Sequence, residues 1–130
     1  MDRGQLLLIE DDAHIAEALQ FILARDGWAV SVHATGADAM ERIAAVPPDV
    51  LVLDVMLPGR SGLEILADLR RDETLRALPV LVLSASGQSV AAAEAELERA
   101  VGGGVGPTRV MTKPFANAAV LAAARELAAR

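Results

Sequence analysis

The stretch that decides the fold is VLVLD, residues 50–54, in which four apolar residues run into a carboxylate. Short unbroken runs of Val, Leu and Ile are typical of strands buried on both faces, as in parallel sheets. Three further runs have the same form, and each stops at a polar side chain. They are residues 6–9 before Glu10-Asp11-Asp12, residues 80–83 before Ser84, and residues 110–112 before Lys113.

Helical patterns separate the strand runs. Apolar residues recur at helical spacing, the signatures Thr35-x-x-Asp38 and Ser61-x-x-Glu64 resemble capping boxes, and residues 28–33 alternate like a less buried strand. The order is β-α repeated five times, with connections short enough for right-handed crossovers. We therefore predict one α/β domain over residues 1–130, with the strand ends at the sheet edge where open α/β sheets bind ligands. The predicted helices cover residues 12–26, 36–46, 62–72, 89–101 and 116–129.

Composition narrows the functional classes. The formal net charge is −6 and the basic residues are scattered, which argues against nucleic-acid binding, as does the presence of only one Trp and two Phe. The absence of cysteine excludes disulfides and thiolate metal sites. The first five residues are polar, and no run reaches the roughly 20 apolar residues that cross a bilayer. We expect a cytoplasmic protein with no membrane contact and no direct nucleic-acid binding.

The acidic residues after the first strand predict a cation site. Carboxylates crowded at a strand end repel one another unless a cation lies among them, and hard oxygen ligands select Mg²⁺ or Mn²⁺. Asp12 is placed to cap the following helix. For Glu10 and Asp11 taken alone, a metal site and a helix cap are equally good interpretations.

Asp54 favours the metal interpretation. A carboxylate after four aliphatic strand residues is costly unless it faces a site. Beside a divalent cation it can act as a nucleophile towards phosphorus, giving an aspartyl phosphate. The hydroxyl of Ser84 and the ammonium of Lys113 would complete a cradle for phosphoryl oxygens. Each residue alone has a structural explanation, but their position at four strand ends predicts a phosphoryl site.

At this point the chain resembles the receiver (phosphoacceptor, REC) domain of response regulators in two-component signal transduction. The resemblance covers essentially the whole chain and rests on motifs in a fixed order. It implies a flavodoxin-like (βα)5 fold, a doubly wound parallel five-stranded sheet with strand order 2-1-3-4-5. The motifs are LLIEDD (7–12), LVLDVMLPGRSG (51–62), Ser84-Ala85 and Lys113-Pro114-Phe115.

The resemblance also implies a metal site. Asp11 would ligate Mg²⁺ directly together with Asp54, and Glu10 would hold it partly through water. The backbone carbonyl of Met56 would complete the protein ligands. Mn²⁺ would be expected to substitute.

The implied function is a phosphorylation-activated switch. Asp54 would accept a phosphoryl group from a sensor histidine kinase, a histidine phosphotransfer protein or a small donor such as acetyl phosphate. Ser84 would bond a phosphoryl oxygen, Lys113 would pair with the phosphate, and the Lys113–Pro114 peptide would be cis. The face formed by helix 4, strand 5 and helix 5 would signal to a downstream protein or a tethered output domain. The protein would be no enzyme beyond slow autodephosphorylation.

Three features modify these expectations. Receivers often carry Tyr or Phe three residues before the Lys, where this chain has Val110. Ser84 and Lys113 are separated by more residues than usual, and the excess falls in the glycine-rich segment 102–107, for which we predict a loop and a remodelled signalling face. Met56 and Ser86 flank the expected path of an attacking water, which predicts a phosphoryl lifetime of intermediate length.

Two other functions are alternatives to the phosphorylation-activated switch. A haloacid-dehalogenase-type phosphohydrolase also uses an aspartyl phosphate, but it needs an Asp-x-Asp motif after its first strand, whereas Asp12 directly follows Asp11. A degenerate receiver that binds partners without phosphorylation stays open, because Val110 and the glycine-rich segment depart from the family pattern. The complete set of acidic residues, Ser84 and Lys113 argues against degeneracy.

Overall fold

Five strands alternate with five helices in the computed structural model, which describes residues 2–84, 89–102 and 106–129. Ala85, Ser86 and the centre of the glycine-rich segment (103–105), all of which carry predictions, lie outside the described residues. The elements are β1 (Gly4–Ile9), α1 (Ala13–Arg25), β2 (Trp28–His33), α2 (Ala39–Ala45), β3 (Val50–Asp54), α3 (Gly62–Arg71), β4 (Val80–Ser84), α4 (Val90–Val101), β5 (Thr108–Thr112) and α5 (Asn117–Ala128).

The sheet has the predicted topology. Its strand order is β2-β1-β3-β4-β5, and all four neighbouring pairs are parallel. The C-terminal ends of the strands therefore share one edge. Asp54 lies opposite Leu83, so β3 ends one position before β4, and Ser84 lies opposite Thr112, so β4 and β5 end level with each other. The flavodoxin-like fold class is confirmed.

The core has two layers, one on each face of the sheet. Leu6 and Leu8 face the layer formed with α1 and α5, while Leu7 and Ile9 face the layer formed with α2, α3 and α4. Successive strand residues point to opposite faces, so an apolar residue is needed at every position of a central strand. This explains the unbroken runs of Val, Leu and Ile. Because both faces of each central strand are packed, the strand ends are also fixed in position.

Across the described part of the chain, no helix combines the length and the apolar character that a bilayer crossing requires.

The two predicted capping boxes have different outcomes. Ser61 accepts a hydrogen bond from the backbone N–H of Leu63, and Glu64 accepts one from the backbone N–H of Ser61, so α3 begins as predicted. The prediction for Thr35 is wrong. Its hydroxyl closes a short turn by accepting from the backbone N–H of Ala37, and α2 begins three residues later than the pattern indicated.

Arg70 is a buried charge that no sequence pattern predicted. Its guanidinium donates to the carbonyl of Arg76 at 2.8 Å, the carbonyl of Leu78 at 2.7 Å and the hydroxyl of Thr108 at 2.8 Å. The side chain thus joins the end of α3, the loop before β4 and the beginning of β5. Burial lowers the pKa of Arg70 to about 10, which leaves the group charged at neutral pH.

We predict that Arg70→Met lowers the free energy of unfolding by about 1–3 kcal/mol, because buried carbonyls lose their donors. The matched control is Arg71→Met, since Arg71 is exposed and its one salt bridge among the described residues is to Asp68, at 3.8 Å. That change should cost less than about 1 kcal/mol. Urea denaturation followed by the fluorescence of Trp28, which is 3% exposed, measures both variants. Equal losses would show that Arg70 does not organise this end of the sheet.

Candidate functional site

Three of the predicted site residues are in direct contact at the C-terminal edge of the sheet. The Nζ of Lys113 lies 3.2 Å from Oε1 of Glu10 and 3.2 Å from Oδ1 of Asp54. Glu10 and Asp54 are buried, with 1% and 2% of their surface exposed. The chain therefore places an ammonium between two buried carboxylates, one directly after β1 and one on the last residue of β3.

Asp11 completes a cluster of oxygen donors. Glu10, Asp11 and Asp54 each offer one carboxylate oxygen, and these oxygens lie within 4.8 Å of one another. Asp11 is exposed, so a cation could reach the cluster from solvent while still meeting two buried oxygens. The donor set contains only hard oxygen ligands, which fits Mg²⁺ or Mn²⁺ and does not fit a thiophilic metal.

Crowding changes the acidity of Glu10. Burial, together with a hydrogen bond and charge repulsion from Asp54, raises the pKa of Glu10 from 4.5 to about 7, although the N–H of Asp12 and the charge of Lys113 oppose the shift. Burial alone would lower the pKa of Lys113, but the charges of Asp54 and Glu10 outweigh it and raise that pKa. Lys113 is therefore a permanent cation in this site.

Backbone groups fix the carboxylates. The N–H of Met56 donates to Oδ1 of Asp54 at 3.2 Å, and the N–H of Asp12 donates to Oε2 of Glu10 at 3.1 Å. These bonds place the backbone of Met56 beside the acidic cluster, while its side chain is 66% exposed. The side chain of Asp12 accepts from the first turn of α1, as the sequence predicted for a cap.

Ser84 and Lys113 are linked through the backbone. The N–H of Lys113 donates to the carbonyl of Ser84 at 3.2 Å, which continues the pairing of β4 with β5 beyond the last strand residue. Ser84 is 4% exposed and lies at the end of the strand next to β3. The Lys113–Pro114 peptide is cis. The four strand ends named by the sequence are thus gathered at one edge.

Gly62 belongs to the motif at residues 51–62, but no function was predicted for it from the sequence. A Cβ at this position would lie 2.1 Å from the carbonyl oxygen of Asp54, a distance that no side chain can occupy. The N–H of Gly62 also donates to the carbonyl of Val55 at 3.0 Å. The start of α3 therefore packs directly against the backbone that carries Asp54, and only glycine allows that approach.

Val110 lies on the face of β5 that packs against α4. It is half-buried and contacts the core layer that includes Leu97 and Val82. Val110, which stands where receivers often have Tyr or Phe, thus places a small apolar side chain on the surface between α4 and β5.

Comparison with known proteins agrees with this geometry. A profile of the response regulator receiver domain family matches residues 6–125. The chain is 36% identical over 129 residues to the transcriptional regulatory protein CseB of Streptomyces coelicolor, and 37% identical over 126 residues to the response regulator MprA of Mycobacterium ulcerans. These alignments cover 99% and 97% of this chain but 51% and 50% of the relatives, so the chain spans about half their length.

The fold comparison gives the same result. A crystal structure of a response regulator from Chloroflexus aurantiacus superposes with a TM-score of 0.83 at 29% identity, covering 98% of both chains. The chain belongs to the response regulator receiver domain family. Members of this family are phosphoacceptors of two-component systems, and this chain has a cluster of three carboxylates, those of Glu10, Asp11 and Asp54.

The raised pKa of Glu10 predicts a pH-dependent stability in the presence of a metal chelator. The folded protein binds a proton more tightly than the unfolded chain between pH 4.5 and about 7. The contribution of Glu10 is therefore full below pH 4.5 and is lost as the pH rises through about 7, a decrease on the order of 3 kcal/mol.

Urea denaturation across this pH range, monitored through Trp28, tests the prediction. Glu10→Gln should remove this part of the pH dependence, whereas Glu17→Gln, an exposed glutamate on α1, should leave it unchanged. The same slope in the parent protein and in Glu10→Gln would contradict the assignment.

Proposed function

We propose that this chain is a phosphorylation-activated switch in which Asp54 accepts a phosphoryl group. The observation that carries the proposal is the contact of Lys113 with both buried carboxylates, 3.2 Å from each. A purely structural ion pair would need one carboxylate for one ammonium. Here two buried acids share one cation, which leaves the site with excess negative charge and a demand for a second cation.

A divalent metal meets that demand. Asp11 and Asp54 would hold Mg²⁺ directly, Glu10 would contribute partly through water, and the backbone carbonyl of Met56 would be the last protein ligand. Mn²⁺ would substitute because it prefers the same oxygen donors. When bound, the metal would supply positive charge to the transferring phosphoryl oxygens.

The transfer itself needs little from the protein beyond position and charge. One carboxylate oxygen of Asp54 attacks phosphorus, and the bond from phosphorus to the donor's nitrogen or oxygen breaks. The donor leaves with that electron pair, as a neutral imidazole from phosphohistidine whose other ring nitrogen is protonated, or as acetate from acetyl phosphate. The ammonium of Lys113 and the hydroxyl of Ser84 bind phosphoryl oxygens and offset their charge.

Partners follow from this chemistry. The donor would be a sensor histidine kinase or a histidine phosphotransfer protein, and the receiving surface for output would be formed by α4, β5 and α5. Two relatives are called a transcriptional regulatory protein and a response regulator, which supports a downstream protein or a tethered output domain as the partner.

The chain acts as a phosphoacceptor in the cytoplasm and turns over phosphate only by slow autodephosphorylation. The exposed, apolar side chain of Met56 cannot position an attacking water, which supports a phosphoryl lifetime of intermediate length.

Intact mass after incubation with Mg²⁺ and acetyl phosphate tests the proposal. We expect a gain of one phosphoryl group, which Asp54→Ala and a chelator should each abolish. Asp68→Ala on α3 is the matched control and should be phosphorylated like the parent, since the salt bridges of Asp68 within the described residues are to Arg60 and Arg71 and not to Lys113.

Other outcomes point to other functions. No phosphoryl gain with acetyl phosphate or phosphoramidate, together with no binding of beryllofluoride at Asp54, would overturn the switch and favour a degenerate receiver that binds partners without phosphorylation. Release of phosphate over many turnovers would instead favour a phosphohydrolase.

A further inference from the structure

A narrow groove runs between α4 and β5, on the side of the sheet away from α1 and α5. It has a volume of about 180 Å³ and is lined by Glu94, Leu97, Glu98, Thr108 and Val110. Pockets for small molecules usually hold about 300–1,000 Å³. The groove is therefore too small for a cofactor and has room for about one long side chain.

The floor of the groove is apolar. Leu97 is 4% exposed, and Val110 is half-buried against the same core layer. Val110 has a short branched side chain, so it covers only part of the space between the helix and the strand. A long aliphatic stem lying on these two residues would remove apolar surface from water, which is favourable.

The rim of the groove is acidic. Glu94 and Glu98 are exposed and stand one helical turn apart on the same face of α4. Like charges at this spacing destabilise a helix. Among the described residues, no salt bridge joins either side chain to a cation, whereas Glu126 of α5 is paired with Arg109 of β5.

We propose that this groove receives one arginine side chain from a partner protein. Its stem would lie on Leu97 and Val110, and its guanidinium would bind between Glu94 and Glu98. Arginine fits better than lysine, because its planar group is more weakly hydrated and offers donors in several directions, so that it can bond two carboxylates at once. The charge complementarity between an acidic rim and a cation on an apolar stem selects this partner chemistry.

This inference deepens the proposed function, since it specifies what the output surface recognises. It does not depend on the phosphoryl site, because the groove is lined by residues of α4 and β5 and includes none of Glu10, Asp54 and Lys113.

The test is an NMR titration of the unphosphorylated protein, without Mg²⁺, using Nα-acetyl-arginine amide as the probe. We expect saturable shifts confined to the groove, with millimolar affinity. Nα-acetyl-citrulline amide has nearly the same shape without the charge and should bind roughly three- to tenfold more weakly, the effect expected of two exposed ion pairs. The amides expected to shift are those of residues 94, 97, 98 and 110.

Two variants locate the binding. Glu94→Gln combined with Glu98→Gln should weaken arginine binding to the level of citrulline, while Glu17→Gln, the exposed glutamate on α1, should have no effect. Val110→Tyr should fill the groove and abolish the shifts. Trp28 fluorescence during urea denaturation verifies that each variant is folded.

Three results would overturn the proposal. They are equal binding of the arginine and citrulline probes, shifts scattered over the surface, and full binding by the double glutamine variant. Dimerisation of the parent chain that the double variant abolishes would show that a second copy, not another protein, occupies the groove. Repeating the titration in Asp54→Ala separates the two proposals, because arginine binding should survive there although phosphorylation does not.

Discussion

The structure depends on one electrostatic balance, the placing of a single ammonium between two buried carboxylates. Glu10 and Asp54 are almost completely shielded from water, and Lys113 lies 3.2 Å from each. Burial is the main reason why the ionised form of Glu10 is costly, the neighbouring Asp54 adds to that cost, and together they raise the pKa of Glu10. The site is therefore held together by charge but left incompletely neutralised, which is the physical basis for binding a further cation and an anionic phosphoryl group in turn.

Parallel strand order makes this balance possible. Glu10 and Lys113 are separated by 103 positions in the chain, yet they meet because β1, β3, β4 and β5 all end at one edge. The apolar runs before them set the register, since a slip of one residue would turn every buried side chain to the opposite face. The hydrophobic core thus matters for function because it sets the strand register and so positions the strand ends, although it does not itself form the site.

Much of this could be predicted from the sequence because the central strands are buried on both faces and leave an unmistakable pattern. The strand order came from family resemblance, and the contacts of Lys113 needed the folded chain. The prediction that Thr35 caps α2 was wrong because a hydroxyl that closes a turn and a hydroxyl that caps a helix have the same sequence signature. The structural roles of Gly62 and Arg70 were not predicted, for a different reason. Their roles depend on neighbours distant in sequence or on backbone atoms, the carbonyl of Asp54 in one case and the carbonyls of Arg76 and Leu78 in the other.

The position of β5 suggests how the two proposed sites would communicate. In the described sheet β5 pairs only with β4, so it can shift while breaking one ladder of hydrogen bonds rather than two. Lys113 directly follows this strand and Val110 lies within it, three residues away. A phosphoryl group that draws Lys113 towards new oxygens would therefore pull on the same strand that forms one wall of the α4–β5 groove. Because both places share one edge strand, a change in its position caused at one place would change the free energy of the other.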